Sequence, residues 1–436
     1  MDNTSNVSDI KPLYGIEDQP PLGNSFPLAL QHVLAMFAGN ITAPILVTGM
    51  LGLGMAERTF LIQSALLASA LATLIQVGRF WKVGSRLPIV MGTSNAFLPA
   101  VMGIASRFGI GAVLGASFIG GIFEFGLGII LPKIRKLFSS LVIGIVVLTI
   151  GLTLIPVGIR QAAGGAVNFG SAQNLILSAI VLVSIIVFNQ FGKGYVRASS
   201  ILLGMALGYV VAIAMGVVSF EAVRSASWFA VPMPFKYQWS FPLPAIIAML
   251  MMYVVTAVET VGDATAITMG GEGREATEAE ITGSVLADGL GSSLGAVFNA
   301  FPNTSYSQNV GVVILTGVMS RHVVRIGAFI LLAMSLVPKL AAVISVMPTA
   351  VLGGAAIIMF SMVASSGFVL LQRVTLNRRN LLIIAVSLGL GVGLNLTPTA
   401  LNILPDGLRL IFAETGVATA TIVALFLDQF LPVQND

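Results

Sequence analysis

The sequence predicts an all-α membrane protein of fourteen transmembrane segments, arranged as two inverted halves of seven. Three observations predict it. First, 56% of the 436 residues are hydrophobic and only 9% are charged, against roughly 25% charged in an ordinary soluble domain. The mean hydropathy is +0.97. Second, apolar stretches of membrane-spanning length follow one another almost without pause from residue 27 to 432. Third, the third and tenth stretches are short and interrupted by Gly, Ser, Thr and Asn. Such a composition excludes a water-soluble enzyme and a disordered or fibrous chain. The absence of cysteine excludes disulfides, thiolate metal sites and cysteine nucleophiles. With His32 and His322 the only histidines, a histidine-rich metal centre is excluded as well.

Residues 1–24 are polar, include Pro20, Pro21 and Gly23, and lack the basic start and cleavage site of a signal peptide. They read as a short cytoplasmic tail. Hydropathy then places spans at 27–50, 58–78, 87–104, 109–131, 138–157, 173–190, 199–218, 242–268, 280–299, 308–319, 325–346, 349–371, 380–397 and 408–432. Fourteen spans of about 20 residues need about 280 residues, so the loops are short. Charge sets the orientation. With both termini cytoplasmic, fourteen Lys and Arg fall in inside loops (Arg135, Lys136 and Arg373 among them) and seven in outside loops, with Lys11 in the tail. This two-to-one bias follows the positive-inside rule. It accounts for the pI near 9.5 as membrane topology, without nucleic-acid binding.

The halves look related. Segment five follows Pro132-Lys133 and reads Leu141-Val-Ile-Gly144; segment twelve follows Pro338-Lys339 and reads Val351-Leu-Gly-Gly354. Seven spans is an odd number, so the second half inserts upside down. Inverted repeats with interrupted helices at matching positions mark secondary transporters, with the site near the midplane.

Ionisable groups inside a span cost about 2.5–3.5 kcal/mol each on insertion scales, so each needs a reason. The candidates are His32, Glu124, Glu259, Asp263, Asp288, Glu414 and Asp428. Asp428 and Glu414 lie towards the ends of the last segment and are expected to reach water. Glu124 reads equally as a packing contact or as a proton group. Glu259 and Asp263 are four residues apart on segment eight and share one helix face. Like charges one turn apart repel, so the pair is expected to ionise in coupled steps and to carry a proton. Asp288 on segment nine is placed to join them.

The interrupted segments supply the rest. Segment three is entered through Leu87-Pro88-Ile-Val-Met-Gly92-Thr93-Ser94-Asn95, and segment ten through Asn303-Thr304-Ser305-Tyr306-Ser307-Gln308-Asn309-Val310-Gly311. Each reads as an extended stretch turning into a half-helix, tolerated at membrane depth only where it lines protein or a cavity. Half-helix N-termini present free backbone N–H groups. The Gln308 amide carries both donor and acceptor, and Glu259 accepts N–H bonds. Together they suit a flat heterocycle with alternating N–H and C=O edges better than an inorganic anion.

At these residues the sequence resembles the nucleobase–ascorbate transporter family, also called nucleobase:cation symporter 2. Three patterns carry the resemblance: Gln31-His32, Glu259-Thr-Val-Gly-Asp263, and Gln308-Asn309-Val310-Gly311 followed by Thr316. It extends from about residue 12 to 432. The resemblance implies short antiparallel strands in segments three and ten. It implies a core domain from 25–131 and 241–346, and a gate domain from 132–218 and 347–432, with substrate between them and a homodimer in the bilayer. It implies that Glu259 hydrogen-bonds the substrate ring, joined by Gln308 and the Ser307 backbone, with Asn95, Ser94 and Gly39 completing the pocket. Asp263, Asp288, His32 and Asn309 would support the pocket or carry a coupled proton.

The resemblance also bears on substrate. Uracil members have Glu at the first signature position and ascorbate members Pro, whereas Gln308 is similar to the purine branch, chiefly xanthine and uric acid. Asn95 departs from the pattern, standing where many members have Phe, which exchanges an aromatic contact for a polar one. The expectation is therefore proton-coupled uptake of a purine across a bacterial inner membrane, with no cofactor beyond the coupling proton. A pyrimidine carrier on the same scaffold and an anion exchanger are the alternatives. No Ser–His pair, metal cluster or phosphate loop points to an enzyme.

Overall fold

The computed structural model describes residues 12–134, 139–165, 168–372, 374–414 and 416–432. The expectations for Lys11, Arg135, Lys136 and Arg373, and for the Glu414 side chain, lie outside the described residues. Among the described residues the regular elements are helices, apart from two three-residue strands. Helices α1 (Leu22–Met50) and α2 (Met55–Val77) precede β1 (Met91–Thr93) and the half-length α3 (Leu98–Phe108). Then come α4 (Ile110–Ile134), α5 (Ser140–Ala162), α6 (Ala172–Phe191) and α7 (Ser200–Ala214). The second half repeats the pattern with α8 (Leu243–Glu272), α9 (Glu278–Val297), β2 (Asn303–Ser305) and the half-length α10 (Ser307–Thr316). It continues with α11 (Arg321–Ser335), α12 (Pro338–Ser345), α13 (Thr349–Leu371), α14 (Arg378–Leu396) and α15 (Gly416–Phe430).

Every expected segment thus carries a helix, but they are not fourteen full spans. Among the described residues, eight helices are long and apolar enough to cross a membrane, or nine if α11 and α12 count as one span bent by 82°. The shortfall has local causes. Pro338 opens α12 and cannot continue α11, because it has no N–H to donate. Segment three is extended up to Thr93 before its half-helix begins, and segment ten, entered from β2, is only a ten-residue half-helix. Segment fourteen is interrupted by a π-helical turn at Leu410–Glu414.

Side-chain caps fix several helix starts. Ser139, Ser320 and Asn377 accept from backbone N–H groups in the first turns of α5, α11 and α14. Thr277 and Glu280 form a reciprocal capping box on α9. Gly273 and Gly317 take left-handed conformations that close α8 and α10.

Two helix pairs are packed backbone to backbone. Helices α5 and α13 run antiparallel in constant register: a Cβ on Gly151 would lie 2.3 Å from the Ala364 nitrogen, one on Gly367 2.4 Å from the Leu148 nitrogen, and one on Gly353 2.0 Å from the Ala162 nitrogen. Helices α4 and α9 interlock in the same way, Gly121 against the Gly289 carbonyl at 2.6 Å and Gly289 against the Phe125 nitrogen at 2.5 Å. Small residues permit this approach, and dispersion and packing then hold helices together where lipid removes the hydrophobic drive.

The two strands pair antiparallel, Met91 with Ser305, Gly92 with Thr304 and Thr93 with Asn303, as the resemblance implied. They are buried throughout. Residues 13–18, before α1, are tied to the second half. Leu13 N–H donates to the Gly317 carbonyl (2.7 Å), Met319 N–H to the Tyr14 carbonyl (2.8 Å) and Ser320 Oγ to the Asp18 carbonyl (2.6 Å). Residues 13–18 therefore strap the junction between α10 and α11.

Candidate functional site

The strand pair organises the site. On the β2 side, the hydroxyl side chains meet carboxylates. Ser305 Oγ donates to Asp263 at 2.6 Å, and Ser307 Oγ at the head of α10 donates to the other oxygen of Asp263 at 2.8 Å. Thr304 Oγ1 donates to Asp288 Oδ2 at 3.2 Å, and Thr260 Oγ1 donates to the same oxygen. Ser305 Oγ also lies 3.4 Å from Thr260 Oγ1. A continuous chain of hydroxyls thus links Asp263 to Asp288 across α8, β2 and α9.

On the β1 side, the Asn40 side chain of α1 holds the strand: its Oδ1 accepts from the Thr93 N–H and from Ser69 Oγ, each at 2.8 Å. Thr73 Oγ1 accepts from the Met91 N–H at 2.9 Å. Tyr306 lies across both strands and donates to the Thr93 carbonyl at 2.8 Å. Its ring occupies the space that a side chain at Gly39 or Gly92 would fill, with Cβ approaches of 2.8 and 2.7 Å. A Cβ at Gly39 would also lie 3.3 Å from the Asn95 amide nitrogen, so Gly39, Tyr306 and Asn95 are neighbours. His32 and Asn309 are both buried. Asn309 Nδ2 donates to the His32 carbonyl at 2.9 Å and sits 3.1 Å from the His32 ring Nδ1.

Several buried polar atoms at the site have no protein partner: Glu259 Oε2, Asn95 Oδ1, Ser94 Oγ, Thr93 Oγ1 and Asn309 Oδ1. Buried polar atoms are normally satisfied, so such a cluster points to something that binds there. Glu259 stands one turn from Asp263 and within electrostatic reach of Asp263, Asp288 and Tyr306. Ser307 is exposed and Gln308 partly so, at the N-terminus of α10. A Cβ at Gly262 or Gly311 would meet nothing within 4 Å. Each glycine is three residues beyond Glu259 or Gln308 and so on the same helix face, which leaves open space beside both.

The structure thus brings Asp263, Ser307 and Asp288 into one network, His32 and Asn309 into a second, and Gly39 beside Asn95. Asn40, Thr260, Thr304, Ser305 and Tyr306 were not singled out from sequence. Asn40 carried a usable signal, an amide in an otherwise apolar helix. Two other ionisable residues fall elsewhere. Asp428 is half-buried and, beyond the expected access to water, accepts from Arg379 Nη1 at 3.0 Å and Ser139 Oγ at 2.7 Å. Glu124 is fully buried on α4 and accepts from Thr256 Oγ1 at 3.1 Å.

The sequence and fold were compared with known proteins. The Xan_ur_permease model, described as "Permease family", matches residues 23–399. The chain is 38% identical over 421 residues to the uric acid permease PucJ of Bacillus subtilis, covering 94% of this chain and 93% of that protein. It is 36% identical over 445 residues to the xanthine permease XanP of Escherichia coli, covering 97% and 95%. Among solved structures, the transmembrane domain of the cyanobacterial bicarbonate transporter BicA aligns with a TM-score of 0.63 at 15% identity, over 91% of this chain and 99% of that one. SLC26A9 aligns at 0.61 and 12% identity, over 94% of this chain and 66% of that one.

Proposed function

The chain belongs to the nucleobase–ascorbate transporter family of permeases, and from that premise we propose that it imports a purine nucleobase, xanthine or uric acid, by proton symport. One observation carries the reading. A buried carboxylate oxygen of Glu259 has no protein partner, and in this reading it faces the substrate together with Gln308 at the head of a half-helix. A purine's N–H groups suit the carboxylate, and its C=O and ring nitrogen suit the Gln308 amide and the free N–H groups of α10. Ser307, Asn95, Ser94 and Gly39 complete the pocket in this reading, and the names of the relatives support a purine as its occupant. Asp263, Asp288, His32 and Asn309 hold the pocket in shape or carry the coupled proton.

In the same reading, segments one to four and eight to eleven (25–131 and 241–346) form a core domain. Segments five to seven and twelve to fourteen (132–218 and 347–432) form a gate, seven plus seven spans in all. The core shifts against the gate around the bound ring. The protein works as a homodimer in the bacterial inner membrane with both termini in the cytoplasm. The energetics close. Membrane voltage contributes about 2.3 kcal/mol per charge per 100 mV and one pH unit about 1.4. Together about 3.7 kcal/mol supports an accumulation on the order of 500-fold.

Labelled-xanthine uptake into vesicles tests the reading. A protonophore is expected to collapse accumulation, and uptake indifferent to it rejects proton coupling. Glu259→Gln is expected to abolish uptake; retained affinity removes Glu259 from the site. Competition by xanthine, urate, guanine, hypoxanthine and uracil ranks the substrates, and competition by uracil alone reassigns the carrier to pyrimidines.

A further inference from the structure

Beside the Asp263–Asp288 network, a second acidic contact lies where α4, α8 and α9 meet. Glu124 and Asp288 are both fully buried. Each has one satisfied oxygen, Glu124 Oε1 by Thr256 and Asp288 Oδ2 by Thr260 and Thr304. Each also has one buried oxygen with no partner, Glu124 Oε2 and Asp288 Oδ1. The two are brought together by the α4–α9 seam, where a Cβ on Gly289, next to Asp288, would lie 2.5 Å from the nitrogen of Phe125, next to Glu124, and by Thr256 and Thr260, one turn apart on α8. The other titratable groups facing Glu124 are Glu259 and Tyr253, both from α8. No Lys, Arg or His is among them. Two ionised carboxylates enclosed together without a cation would be uncompensated charges in a dry interior, which native structures avoid.

We propose that Glu124 and Asp288 hold one exchangeable proton between them, which makes Glu124 a positioning residue for the carrier's protonation cycle. The step is a bare proton transfer: an O–H bond on one carboxyl breaks, one on the other forms, and no further reactant is needed. Its effect reaches the pocket through side chains already in contact. When Asp288 is charged, it draws the Thr260 and Thr304 hydroxyls to itself. When it is neutral, it releases them, and Ser305 links that change to Asp263. Glu124 itself touches no substrate.

The transport arm of the test rests on the carrier reading above; a spectroscopic arm does not. In the purified full-length protein near neutral pH, infrared difference spectra are expected to show a protonated-carboxyl carbonyl band that shifts in D2O. Glu124→Gln should remove or displace that band. In vesicles, the same variant should keep the KM for xanthine within about threefold. The alkaline limb of its rate–pH profile should move up by about one unit or more, because an amide mimics the protonated acid at every pH. Thr256→Val removes the hydroxyl that stabilises the charged form. It should move the limb the same way by less, and it carries both readouts should Glu124→Gln fail to fold. An untouched carboxyl band, or a pH profile that superimposes on the wild type, overturns the proposal. If wild-type uptake ignores a protonophore, the symport reading fails while the infrared band still decides this one.

Discussion

Arg379 and Asp428 show what a single half-buried charge pair contributes to this protein. Their side chains are 10% and 13% exposed and meet at 3.0 Å, with Ser139 as a third member. Removing one partner of this half-buried pair leaves the other poorly compensated, a loss between the roughly 1 kcal/mol of a surface pair and the about 3–5 kcal/mol of a fully buried one. Arg379→Ala should therefore lower the melting temperature in detergent markedly, and Arg379→Ala with Asp428→Ala should recover part of the loss. Equal losses in single and double variants would show that the pair is not coupled. The sequence showed Asp428 only as a residue near water because hydropathy sees position along one helix, not a neighbour 49 residues away. The same limit hid Asn40, whose partner Thr93 is 53 residues on, and Thr304 and Ser305, whose carboxylates sit on α8 and α9. Glu259 and Asp263 were legible because their relation is local, a spacing of four on one helix.

The strap before α1 and the α5–α13 seam show how elements are fastened. In the strap, Arg321 Nε donates to Glu17 at 3.0 Å, and Arg86 lies 3.7 Å from the same carboxylate. The Arg321 hydrogen bond holds the Glu17 carboxyl below the usual glutamate range. A depressed folded value means that the contribution is present above the ordinary value near 4.3 and is lost as pH falls through the folded one. This is a surface pair, so it contributes no more than about 1 kcal/mol. Hydrogen-exchange protection at residues 13–16 and 317–321 should fall below that pH, and Glu17→Gln should show the reduced protection at neutral pH. Unchanged protection would remove the carboxylate from the strap. In the seam, Gly151→Ala would drive a Cβ into the Ala364 backbone, where no flexible side chain can yield. A loss of about 1–3 kcal/mol is expected from overpacking. Gly393→Ala, a position with open space around it, should lose nothing; equal melting of the two variants would discount the seam. The sequence showed that these segments exist, and the Gly144 and Gly354 patterns hinted at kinship. It could not show that helices from opposite halves would interlock.

For the whole molecule, composition settled the membrane class, and the span order put a helix in every expected segment, although α3 and α15 begin about ten residues later than hydropathy placed them. The count of full spans was less legible. Hydropathy counts apolar stretches, whereas Pro338, the strands and the π-turn decide which stretches run straight through. The chain's two polar breaks were visible as breaks, and their pairing followed from family resemblance rather than from any local pattern.

That pairing has a consequence for biogenesis. Strand β1 is made some two hundred residues before β2, a lag of roughly ten to forty seconds at ordinary translation rates. For that interval the first re-entrant stretch has no ladder partner inside the bilayer. Asn40 on α1, itself held by Ser69, and Thr73 on α2 are already synthesised and hydrogen-bond β1 before the second half arrives. The nascent first half thus carries its own scaffold for a strand whose mate the ribosome has yet to make.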